Sequence, residues 1–197
     1  MTAPVVSAMS RATMRGRCSG LSFPELAVVL AMVAITATLA APGLHRIVQA
    51  QELRVAASDL YSAVQLARSQ AMARNEPVII TTRDAAGSDW SRGWTVYIDR
   101  DNNRQAGAGD EILAVRATLA QGVQVSYSFA SAAAPQYIAY NGAGRSCSNT
   151  SSAAARPGAL SLFHGGGVRR IKINLLGRAR LCNPARDAGC DGAAAPP

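Results

Sequence analysis

Residues 26–44 form a run of apolar and small side chains without a single charge, LAVVLAMVAITATLAAPGL. As a helix the run is roughly 28 Å long, about the thickness of a bilayer's hydrocarbon core. The pattern then changes. Leu53, Ala56, Leu60, Val64, Ala67 and Ala71 recur at three- and four-residue steps. That spacing predicts a helix with one apolar face, while Glu52, Arg54, Asp59, Arg68 and Arg74 fall mostly off it. One long helix is therefore expected, its first part in a membrane and its second part packed on a sheet. Asn75-Glu76-Pro77 ends it, because the residue before proline is pushed out of helical geometry.

Beyond Pro77 the apolar positions come in short β-like runs separated by Gly, Asn, Asp and Pro. The runs cover residues 78–83, 93–99, 111–118, 123–129, 137–140, 159–163, 168–174 and 177–182. Residues 168–182 alternate around Gly177 and read as a hairpin or bent strand. Residues 183–197 are rich in Ala, Pro and Gly and are expected to be a flexible tail. The fold class expected is α+β, a long N-terminal helix packed on antiparallel sheet.

Charge adds a direction to this picture. The net charge is +8, and every basic residue but Lys172 is Arg. Arg11, Arg15 and Arg17 precede the apolar run with no acid among them, which orients the N-terminus to the cytoplasm. Basic and acidic groups balance over residues 46–144. Over 145–197, Arg145, Arg156, Arg169, Arg170, Lys172, Arg178, Arg180 and Arg186 face only Asp187 and Asp191. Such asymmetry suits a polyanion, a membrane surface or simply a solvated face.

Glu25 is the lone carboxylate at the front of the apolar run, where a charge needs a partner. Gly20, then Leu21, then Glu25, then the uncharged helix resembles the class III signal of type IV pilins and pseudopilins. Pro42 stands where that family has its helix-kinking proline. The family starts more often with Phe than with a residue such as Leu21. The resemblance implies a prepilin leader over 1–20, with cleavage after Gly20 and methylation of Leu21 by a prepilin peptidase. It implies an inner-membrane and assembly helix over 21–45 and a globular domain over 46–182, periplasmic or at the cell surface. Glu25 would pair with the free amine of Leu21 on the same or a neighbouring subunit.

Three further stretches resemble the FimT/GspH branch of minor pilins and pseudopilins. They are residues 67–74, Gly93-Trp94 leading to residues 99–103, and residues 170–174 running into Gly177-Arg178-Ala179-Arg180. The last resembles what FimT-like minor pilins of transformable bacteria use to bind DNA. On an extended strand Arg178 and Arg180 share a side, roughly 7 Å apart, matching successive phosphates. Gly177 would allow close approach, with Arg170, Lys172 and Arg186 in support. Few aromatics interleave, so contact would be to phosphates, insensitive to base sequence and sensitive to salt. The leading expectation is a minor type IV pilin that binds DNA for uptake in natural transformation. The alternative is a GspH-like structural subunit of a type II secretion pseudopilus, contacting other subunits rather than DNA.

The remaining chemistry is sparse. Asp99, Asp101, Asn103 and Asp110 have calcium-loop spacing, but Arg104 replaces the loop's glycine, so a polar turn is expected and no metal. His45 and His164 lie in no recognisable nucleophile setting, so neither an enzyme nor a cofactor is expected. Cys18 falls in the leader. Of the other three cysteines, Cys182 and Cys190 bracket a short loop that is cheap to close, with Cys147 as the rival partner of Cys182.

Overall fold

The computed structural model describes residues 22–197, so Gly20 and Leu21 lie outside the described residues. Helix α1 runs Phe23–Arg74, and the chain divides into two compact units at Pro42 and Gly43. In the first unit the apolar side chains of Phe23–Thr38 are exposed, as is Glu25 in the first turn. Among the described residues no single helix is long and apolar enough to cross a membrane. Phe23–Thr38 and Gly43–Arg74 reach that measure only as a pair.

The second unit holds the rest of α1 and nine strands. Strands β1 (Val78–Thr82), β2 (Trp94–Ile98), β3 (Glu111–Arg116), β5 (Tyr137–Tyr140) and β6 (Ser146–Cys147) form one antiparallel sheet in the order β3-β2-β1-β5-β6. Strands β4 (Gln124–Phe129), β7 (Gly158–His164), β8 (Gly167–Ile173) and β9 (Ala179–Cys182) form a second, in the order β4-β7-β8-β9. Two features are absent from the sequence pattern: the two-residue β6 and a 3₁₀ turn, Trp90–Arg92, capped by the Asp89 side chain.

The helix stripe packs against both sheets. Leu53, Ala56, Ala57, Leu60, Val64, Ala67 and Ala71 are buried with Val78, Ile80, Val96 and Ile138 of the first sheet. They share that core with Leu160, Leu162, Ile171 and Ile173 of the second. The alanines keep the helix close to the strands, and the β-branched residues fill the pleated faces between them. The first sheet is also covered on its outer face. Ile79, Tyr97, Tyr137, Ala139 and Cys147 make a second, smaller cluster there. This explains why β1, β2 and β5 read as continuous apolar runs instead of alternating ones.

Candidate functional site: the basic C-terminal hairpin

Strands β8 and β9 pair in register Arg170↔Cys182, Ile171↔Leu181, Lys172↔Arg180 and Ile173↔Ala179. The odd positions Ile171 and Ile173 enter the core, so Arg170 and Lys172 lie on the opposite face with Arg180. Arg178 precedes β9, in the turn after β8. Its backbone N–H donates to Asn174 Oδ1 at 2.9 Å, and its side chain is exposed.

The segment after β9, expected to be a flexible tail, is tied back over these basic residues. Cys182 and Cys190 form a disulfide. Arg170 is buried, 7 % exposed, and donates to Ser161 Oγ and to the carbonyls of Cys190 and Ala193. Lys172 pairs with Asp191 and also donates to the Gly189 carbonyl. Arg180 reaches Asp187 at 3.0 Å and the Gly189 carbonyl at 2.9 Å. Arg170 therefore has no face to offer a phosphate, and Lys172 and Arg180 are already paired. The cause is the tail itself, whose carbonyls and two carboxylates meet the cations. The Asp191 carboxyl is held below its ordinary range by the hydrogen bond from Lys172.

Gly177 also has a structural reason. Its φ is +75°, and a Cβ there would overlap the Gly144 carbonyl and come 3.0 Å from Arg145 Cα. It lets the β8–β9 turn pack on the Gly144–Arg145 backbone.

Other arginines remain open. Arg145, Arg178 and Arg186 are exposed, and among the described residues none is in an ion pair. Arg169, on the core-side register of β8, was not singled out in the sequence. Burial and the nearby charges of Arg54 and Arg186 lower the affinity of its guanidinium for a proton. Arg54, Arg169 and Arg186 thus gather from helix, strand and tail. Sequence alone gives no signal for that, since the three are brought together only by tertiary structure.

The acidic loop is satisfied internally. One carboxylate oxygen each of Asp99, Asp101 and Asp110 lies within 4.8 Å of the others. Asp99 accepts the backbone N–H groups of Asn103 and Arg104, and Asp110 those of Arg100 and Gly107. Burial raises the Asp99 pKa. The third cysteine, Cys147, is free and buried, which raises its thiol pKa.

A family model for the type II transport protein GspH matches residues 56–177. The type IV minor pilin FimU of Pseudomonas aeruginosa is similar in structure, with a TM-score of 0.50 and 17% identity over 71% of this chain and 94% of that one. The minor pseudopilin EpsH from the type II secretion system of Vibrio cholerae follows, with a TM-score of 0.49 and 21% identity over 68% and 98%. No curated protein gives a match. At such identity the likeness to FimU speaks for the fold, a pilin-like α+β architecture. The family match covers more than half of the chain and includes the buried helix face from Ala56 on and all nine strands but the last, so the chain belongs to the GspH family of minor pilin-like proteins.

Proposed function

We propose that the protein is a structural minor subunit of a pilus-like filament, of the type II secretion or type IV pilus kind, and acts by protein contacts rather than catalysis. The observation that carries this is the exposed apolar surface of Phe23–Thr38, fronted by Glu25. In water such a surface is unfavourable. In the bacterial inner membrane, or among the helices of other subunits, it is covered. The N-terminus stays cytoplasmic and the second unit lies outside. Prepilin peptidase cuts after Gly20, and Glu25 meets the new amine of Leu21 on a neighbouring subunit. Glu25→Ala tests this: the chain should be cleaved and membrane-bound as before, yet several-fold depleted from sheared filaments. Wild-type incorporation of the variant would contradict the role.

DNA capture for natural transformation is the second reading. The clustering of Arg54, Arg169 and Arg186 favours it, with Arg178 and Arg145 exposed. The tail contacts of Arg170, Lys172 and Arg180 weigh against these three as phosphate contacts. A salt series of duplex binding by the full chain in detergent separates the readings. If DNA is the ligand, the double change Arg178→Gln and Arg186→Gln flattens the salt dependence by about one unit of slope per lost contact. Absence of binding at low salt leaves the structural reading alone.

A further inference from the structure

A second group of arginines lies on the outer face of the first sheet, away from the hairpin. Arg156 is buried, only 7 % exposed, and its Cζ sits 4.1 Å from the centroid of the Tyr137 ring. Arg104 Cζ lies 5.6 Å from the same ring. Both line a cavity of about 310 Å³ together with Ser131, Ala133 and Ala154. Neither guanidinium has a carboxylate within 4.0 Å among the described residues. Arg156 uses Nη2 to donate to the Ser131 carbonyl at 2.7 Å, and Arg104 Nε is buried without an acceptor. The nearby Asp99 accepts the backbone N–H of Arg104.

A buried cation loses its hydration, and contact with an aromatic face recovers only part of that loss. Here two cations share one ring and one cavity, and most of their donors have no protein acceptor. The position of Arg156 is also fixed. Arg156 N–H donates to the Ser146 carbonyl at 2.9 Å, and Ser146 Oγ donates back to the Arg156 carbonyl at 2.7 Å. The edge strand β6 thus holds the backbone of this cavity-lining arginine.

We propose that this cavity is a carboxylate-binding site that takes an acidic side chain from a partner protein. The guanidiniums supply forked donors for a carboxylate. The alanine methyls of the wall suit the methylene stem that carries it. Tyr137 lines the same cavity and holds Arg156 by its ring face.

The test follows the Arg Nε–Hε NMR signals of the full chain in zwitterionic detergent during titration with N-acetylglutamate amide. The expected result is a saturable shift of the Arg104 and Arg156 signals, with no shift from N-acetylglutamine amide. Arg104→Gln should weaken binding at least about tenfold, as loss of a charge-assisted bond requires. Arg156→Gln should abolish it, and if that variant does not fold, Arg104→Gln still decides. Equal response to the glutamate and glutamine probes would overturn the proposal. Tighter binding of free glutarate or inorganic phosphate than of the glutamate probe would overturn the partner assignment, because the site would then serve a small anion.

Discussion

The two parts of α1 share Leu, Val and Ala as their apolar residues and end up in opposite surroundings. In Phe23–Thr38, Leu30 is 60 % exposed and Ile35 61 %. In Gly43–Arg74, Leu60 and Val64 are fully buried. The difference lies in the polar positions. The second part carries Glu52, Arg54, Asp59, Arg68 and Arg74 between its apolar residues, and this confines burial to one face. The first part is apolar all round after Glu25, so no single face can cover it. A helix like the second part finds its partner in its own sheets. One like the first needs partners from outside the chain, lipid or other subunits.

The largest effect expected from breaking this contrast is at Leu60. Leu60→Asp puts an unpaired carboxylate among the core residues, and the domain should lose several kcal/mol and unfold. Leu60→Ala should cost about 2–5 kcal/mol. Leu30→Ala should change the thermal unfolding midpoint of the full chain in detergent by no more than about 0.5 kcal/mol allows. Circular dichroism melts of the three variants check the contrast.

A similar contrast holds among the arginines of the hairpin, and it predicts intermediate effects. Replacing Cys182 and Cys190 by Ser opens a short loop and should cost about 2–3 kcal/mol in the chain-entropy account. Arg170→Gln strands the carbonyls of Cys190 and Ala193 and should cost about 1–3 kcal/mol. Arg178→Gln touches no such contact and should leave urea unfolding unchanged within about 0.5 kcal/mol.

The smallest expected effect is on pH. Asp191 has a lowered pKa because it accepts a hydrogen bond from Lys172. A depressed carboxyl stabilises the fold above its unfolded pKa, about 3.9, and the benefit is lost as pH falls through the lower folded value. Protection of the Gly189 and Cys190 amides against exchange, relative to the free-chain rate at each pH, should therefore hold at pH 5 and fall below about pH 4. Asp191→Asn should lower that protection already at pH 5.

What could be read in the sequence follows from how local each signal is. The helix stripe from Leu53 to Ala71 is local periodicity, and those positions are buried. The positions of the long strands were also legible, because turn residues bracket them. The division into two sheets was not, since β5 pairs with β1 across the whole β2–β4 stretch. Strand β6 is two residues long, too short for any pattern to show. The hairpin arginines look alike in sequence. Only folding shows that Arg170 is buried under tail carbonyls and that Arg178 is open. At residues 183–197 the sequence shows Ala, Pro and Gly and gives no sign of the carbonyl contacts to Arg170 and Arg180, because backbone carbonyls serve as acceptors whatever side chain they carry.

The central claim is that the exposed part of α1 meets other subunits, and a photo-crosslinking residue at Val29 tests it most directly. In the full chain within membranes that assemble the filament, the account predicts adducts with other helical subunits that diminish when Glu25 is changed to Ala. Adducts with lipid alone, unchanged by Glu25→Ala, would contradict it.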